Sequence, residues 1–244
     1  MRFANVNGVR RGATPGAQGL CTCCDRKVTA KCGEIMTWHW AHEGSDCDPK
    51  KEGESLWHRK WKAKFPDEWT EVKVGDHRAD VKTPHRVVEF QASDISPAQI
   101  RSREETYQKM VWVIRADDFA KHLSFRFRGE FTSFRWKQPR KSWWEATKPI
   151  VLDVKGNLFH VKKLHNNTPC GGWGYPLKEH EFMKRVGMRV PVPDEPLIPL
   201  HSFYNKYSNR YFLFGREVVG KGQTIQPFTD LPFPAGMDPE EEEE

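Results

Sequence analysis

Residues 78–93, RADVKTPHRVVEFQAS, constrain this chain more than any other stretch. Ala79 and Val81 alternate with Asp80, and Val88 and Phe90 alternate with Val87, Glu89 and Gln91. A period of two built on β-branched and aromatic residues predicts two strands, and Pro84 suits the first central position of a tight turn. A turn centred between Pro84 and His85 sets Asp80 directly opposite Glu89, with Gln91 two residues on along the same face. Like charges opposed across a ladder repel. Such a pair needs a cation between its members, or one protonated carboxyl. The favoured reading is a divalent metal held by Asp80 and Glu89. The alternative is two solvent-facing carboxylates on an amphipathic hairpin, and an asymmetric loop would break the register altogether.

Upstream, Cys21 and Cys24 form a C-x-x-C, and His39 and His42 an H-x-x-H, with fourteen residues between the pairs. Two close ligand pairs separated by a loop are what a tetrahedral zinc site needs. Cys23, Cys32 and Cys47 are further candidates, and Cys47 could replace a histidine. The alternative is a set of free thiols beside a histidine-rich loop. Residues 1–20 hold no apolar export segment, so a reducing, cytoplasmic setting is expected, with the six cysteines as thiols or ligands rather than disulfides. The mean hydropathy of −0.76 marks a polar chain. No apolar run approaches the roughly 18 residues of a membrane span, so no membrane partner is expected.

Around the hairpin the pattern alternates between helix and strand. Glu54, His58, Trp61 and Phe65 fall on one stripe at helical spacing, which predicts a helix over residues 53–65 ended by Pro66. Lys62 lies one turn beyond His58. Residues 69–74 alternate as a strand. Ser96 and Pro97 are a good N-cap and first-turn pair for a helix over residues 98–108, with Arg103 and Tyr107 one turn apart. The apolar run 110–114 predicts a buried strand. Then Phe125-Arg126-Phe127-Arg128 and Phe134-Arg135-Trp136-Lys137 alternate aromatic with basic. As a hairpin these would offer an aromatic and a cationic face, with Arg135 and Lys137 placed to hold phosphates while rings stack on bases. The alternative packs the rings inward and leaves the cations in water. Residues 150–154 and 158–161 predict a further hairpin, and residues 179–186 a short helix. Residues 169–174 read as a glycine-rich loop without the spacing or lysine of a P-loop.

The net charge is +6, but Asp238 and Glu240 to Glu244 are acidic, and without them the rest carries about +12. A basic body favours a polyanionic partner such as nucleic acid.

Cys21-x-x-Cys24, His39-Trp40-Ala41-His42, Glu54-Ser55-x-x-His58-x-x-x-Lys62, Arg78-Ala79-Asp80-Val81, Glu89-Phe90-Gln91-Ala92-Ser93 and Arg103-x-x-x-Tyr107, in this order, resemble the competence protein CoiA family. The acid, turn and Glu-x-Gln resemble the PD-(D/E)xK nuclease core. The resemblance covers about residues 1–120. It implies an α/β (α+β) fold: a zinc-finger-like segment over residues 1–50 and a restriction-endonuclease-like core over 51–120. A basic-aromatic, β-rich extension over 121–188 and a proline-rich region with an acidic tail over 189–244 would follow. It implies a nuclease that uses Mg2+ or Mn2+ on DNA during recombination, in company with recombination proteins, with zinc as a structural ion. Glu54, Asp80, Glu89 and Gln91 would form the catalytic set, and the Phe90 carbonyl could join the metal. His58, Lys62, Arg103 and Tyr107 would face the nucleic acid. Gln91 stands where many relatives of the wider fold carry lysine, and an amide can orient water but supplies no charge. The alternative function is a DNA-binding accessory factor that does not cut.

Overall fold

The fold, taken from a computed structural model, is described for residues 1–34, 37–44, 47 and 54–189, and for the backbone of four short strands beyond them. The linker at 49–51, Gly53, and all but those strands of the proline-rich and acidic C-terminal region lie outside the described residues. The architecture is mixed α+β, rich in strands with few helices. The chain forms two compact units, residues 1–90 with 98–110 and residues 91–97 with 111–244. Their boundaries differ from segment limits at 50 and 120, because the cysteine-rich segment joins the hairpin in one unit.

The first unit opens with five short strands: β1 (Phe3–Val6), β2 (Val9–Gly12), β3 (Gln18–Cys21), β4 (Lys27–Lys31) and β5 (His39–His42). They form one antiparallel sheet in the order β2-β1-β3-β4-β5. Asn7 and Gly8 turn β1 into β2, both at positive φ (52° and 80°), the backbone that a two-residue hairpin loop demands. The core of this sheet is small: Ala4, Cys21, Cys23, Val28 and Trp40.

Next come α1 (Leu56–Lys62), β6 (Thr70–Val74), β7 (His77–Lys82), β8 (Val87–Gln91) and α2 (Pro97–Tyr107). The strands pair antiparallel in the order β6-β7-β8. Val81 faces Val88 and Lys82 faces Val87, the register of a turn centred between Pro84 and His85. Trp61 stacks on Phe90, which also meets Trp57 edge-on, so α1 is held over β8 by aromatic packing. The small N-terminal sheet is tied to this layer by Arg10, whose guanidinium donates to the carbonyls of Asp67 and Thr70 at 2.7 and 2.6 Å.

The helix before the hairpin is shorter than the stripe predicts. Ser55 is its N-cap, so Glu54 precedes the helix. A serine cap competes well for the first-turn N–H groups and fixes the start there.

The second unit is built on β9 (Met110–Arg115), β10 (Leu123–Phe127), β11 (Thr132–Trp136), β12 (Ile150–Val154), β13 (Asn157–His165) and β14 (Gly171–Leu177), followed by α3 (Glu179–Arg185). Their order is β10-β11-β14-β13-β12-β9, with β9 and β12 parallel and the rest antiparallel. Phe125, Phe134 and Phe159 form its aromatic centre, with ring centroids 4.9 to 5.7 Å apart. On β10 and β11 the rings Phe125, Phe134 and Trp136 are buried, while Arg126 and Arg135 are half-exposed. The inward-packed alternative therefore describes this hairpin.

The glycine-rich segment is a strand, not a loop. A Cβ on Gly172 would lie 2.2 Å from the Lys163 carbonyl and 3.1 Å from the Phe134 ring. Glycine is what lets β14 lie against its neighbours. Beyond α3, β15 (Tyr204–Asn205), β16 (Arg210–Leu213) and β17 (Arg216–Val218) pair together, and β18 (Thr224–Ile225) adds to β10.

Candidate functional site

The cysteine-rich segment builds the first centre. The chain after β3 turns tightly, with Asp25 at φ 57° and its N–H donating to the Cys21 carbonyl. This brings Cys21 and Cys24 together, and the Cys23 N–H donates to Cys21 Sγ at 3.3 Å. His42 and Cys47 complete the group, and its four ligand atoms lie within 4.8 Å of one another. Cys21 Sγ is 3.7 Å from Cys47 Sγ, and Cys24 Sγ is 3.3 Å from His42 Nε2. A tetrahedral zinc ion with arms of about 2.3 Å needs ligand separations of about 3.8 Å. Three thiols and an imidazole at this spacing fit a metal such as zinc.

His39 is not a member, and Cys47 takes the place expected for it. The two histidines lie on β5, where side chains alternate. Trp40 and His42 share the face turned to the core, opposite Ala30 and Val28, and His39 takes the other face. Its Nδ1 meets the Thr37 carbonyl instead. Burial would raise the Cys24 thiol, but hydrogen bonds from Arg26, then His42 and Cys21, outweigh it and bring its pKa down to about 6. A thiol that ionises readily is a ready metal ligand. Burial pushes the Cys23 thiol the other way.

The second centre is a buried cluster of charges in the same unit. Asp80 on β7 and Glu89 on β8 are 1% and 2% exposed. Each carboxylate bonds the opposite strand's backbone. The Asp80 N–H donates to Glu89 Oε1, and the Phe90 N–H donates to Asp80 Oδ2, both at 3.0 Å. The other oxygen of each acid faces a cation: Asp80 Oδ1 lies 3.4 Å from Lys62 Nζ, and Glu89 Oε2 lies 3.8 Å from Arg103. Lys62 also bridges Glu54 at 2.8 Å and Glu71 at 3.0 Å. Burial alone would lower the Lys62 pKa, but the charges of Glu71, Asp80 and Glu54 hold it above the ordinary 10.5. Lys62 is 2% exposed, so its ammonium serves the acids inside the unit rather than a phosphate at the surface.

Glu71 is a member that sequence reasoning missed. Its Oε2 accepts from the N–H groups of Arg2 and Phe3, and its Oε1 from Lys62. Burial favours its neutral form, but Lys62, the N-terminal ammonium and Arg78 hold its pKa well below the usual range. Its place in a strand pattern pointed it outward with Lys73, and nothing in the sequence marked the exception.

His58 is fixed as part of the α1 cap. Its Nδ1 accepts from the Ser55 N–H at 3.2 Å, so Nε2 carries the proton and donates to the Phe90 carbonyl at 3.1 Å. The carbonyl expected at a metal is thus held by an imidazole. Arg103 is buried beside Glu89 and supports the cluster, and Tyr107 is buried in edge-to-face contact with His77. Their burial places both inside the unit. Gln91 ends β8, and its Nε2 donates to the Ser93 carbonyl at 3.2 Å. Arg135 and Lys137 belong to the second unit, Arg135 half-exposed on β11 and Lys137 exposed just after it.

Comparison with known proteins bears on the first centre. Residues 17–50 match the family model described as competence protein CoiA, N-terminal domain. All four members of the Cys3His group lie inside that segment. The chain is similar to CoiA over that segment, which holds the candidate metal centre. No curated protein and no solved structure matches the chain. No helix among the described residues is long and apolar enough to cross a membrane.

Proposed function

We propose that the first unit is a metal-dependent nuclease that hydrolyses DNA in a competence-related process. The observation that carries this reading is the buried pair Asp80 and Glu89, each with one oxygen fixed by a backbone N–H and the other turned to a cation. Buried acids are costly to hold ionised, and clusters of them are where acid and metal chemistry is done. The donor set suits Mg2+ or Mn2+ by type: Asp80, Glu89 and Glu54 offer hard carboxylate oxygens. When bound, such an ion supplies charge neutralisation at the scissile phosphate and a more acidic water. The rest falls to the chain. Lys62 brings the positive charge that Gln91 lacks, 3.4 Å from Asp80. Arg103 holds Glu89 from the other side, and His58 anchors the backbone between Glu89 and Gln91 through the Phe90 carbonyl.

One observation favours a second reading. Lys62 already bridges Glu54, Glu71 and Asp80, so each of these acids has a cation in contact without a divalent ion. Among the described residues, no three carboxylates converge as closely as the Cys3His group. This suits an accessory factor that grips DNA and leaves it intact.

The deciding experiment is cleavage of labelled single- and double-stranded DNA with and without added Mg2+ or Mn2+, comparing the native protein with Asp80→Asn and Glu89→Gln. Omitting the ion, rather than adding a chelator, leaves the cysteine-bound metal in place. Ion-dependent cutting lost in both variants supports the nuclease. Salt-sensitive binding without cutting in all three proteins supports the accessory factor.

A further inference from the structure

A cavity of about 350 Å³ lies in the second unit, lined by none of the residues of the two centres above. It opens between residues 143–150 and residues 160–164 on β13. The sheet geometry creates it. Ile150, the first residue of β12, pairs with Val161, so β13 runs on past the end of its neighbour. The β13 register then shifts between Val161 and Lys163, which places Lys162 at a bulge. A bulge re-aims the side chains around it.

The lining has a consistent chemistry. Lys148, Lys162 and Lys163 line the cavity, and among the described residues no carboxylate does. Trp143 and Trp144 contribute two indoles, with Ile150, Val161 and Leu164 as apolar wall. Trp143 is fully buried and packed edge-on against Trp112, so Trp144, half-buried, is the indole left to meet a ligand. His160 reports the same field: burial, then Lys162 and Arg185, bring its pKa down to about 4, so it sits at the wall as neutral imidazole.

We infer that this cavity binds a phosphate beside an aromatic heterocycle, as found in a free nucleoside monophosphate or in the phosphorylated end of a single nucleic-acid strand. Ammonium groups hold the phosphate as point charges. An indole offers the flat surface on which a base stacks. The volume falls in the range of small-molecule sites. The inference stands on the second unit alone and is independent of whether the first unit cuts DNA.

The test is calorimetric titration of the full chain with five probes: inorganic phosphate, adenosine, AMP, a single-stranded 12-mer bearing a 5′-phosphate, and the same 12-mer with a 5′-hydroxyl. A phosphorylated probe is expected to bind at least about tenfold tighter than its unphosphorylated counterpart. Preference confined to AMP identifies a free nucleotide, and preference shared by the 12-mer identifies a strand end. The double variant Lys162→Gln with Lys163→Gln changes two exposed side chains and should abolish the preference with the melting temperature unchanged. Trp144→Leu should weaken AMP more than inorganic phosphate. Equal binding of phosphorylated and unphosphorylated probes, no binding of any probe at millimolar concentration, or a preference that survives the lysine variant overturns the proposal.

Discussion

Glu71 sits in a strand with a backbone that strands avoid. Its φ is 50°, in the left-handed region, at a cost of about 1–3 kcal/mol for a non-glycine residue. The turn swings its carboxylate inward to meet Lys62 and two N-terminal N–H groups, and these bonds hold the conformation in place. Replacing it by glutamine keeps the shape but removes the charge, and the amide cannot accept from every donor the carboxylate serves: Lys62 and the N–H groups of Arg2 and Phe3. Lys62 keeps Glu54 and Asp80, so Glu71→Gln should destabilise the first unit by about 1–3 kcal/mol at pH 7, read from urea unfolding midpoints. The pH dependence has a definite sign. The folded carboxyl has a pKa below its ordinary 4.5, so its contribution is complete above that value and is lost as pH falls through the folded value. The gap between native and variant midpoints should therefore close on acidification below about pH 4.5. A gap that stays constant to pH 3 would show that Glu71 acts through shape alone.

At the scale of elements, β5 and β14 show how a local period decides what a motif becomes. H-x-x-H suits a helix or a turn, where both imidazoles reach one side. On β5 the same spacing sends them to opposite faces, so Cys47 fills the fourth position. Cys47→Ser should reduce bound zinc to well below one equivalent, and His39→Ala should leave it intact, as measured by metal analysis of purified protein. Chelating the zinc should melt β1–β5, seen as lost strand circular dichroism, because five core residues are too few to hold a sheet unaided. On β14 the constraint is steric. Gly172→Val places a side chain against the Lys163 carbonyl and the Phe134 ring, and should cost the second unit about 1–3 kcal/mol in thermal or urea unfolding. The sequence shows these glycines as a loop signal, because the close approach that requires them comes from strands that are distant in the chain.

At the scale of the molecule, the net charge bears on the proposed DNA partner. A chain of net +6 that binds DNA should lose affinity linearly in a log–log plot against salt. Neutralising Arg135 or Lys137, if either meets a phosphate, should lower that slope by about one, whereas Asp80→Asn should leave it unchanged, as read by fluorescence anisotropy. What the sequence determined by itself is local. The alternation around Pro84 set the hairpin, with Val81 facing Val88, and brought Glu89 Oε1 to the Asp80 N–H. The spacing of Cys21 and Cys24 set half of the Cys3His group, and Ser96-Pro97 set the start of α2. Each of these depends on backbone period and on neighbours within a few residues. Only the tertiary structure decided that Lys62, an apparent surface cation, is enclosed by three acids, that Glu71 turns inward, that Cys47 displaces His39, and that two indoles and three lysines share one cavity. Those outcomes depend on which distant segments pack together, and the free energy of burying a charge is settled by the partners it finds there.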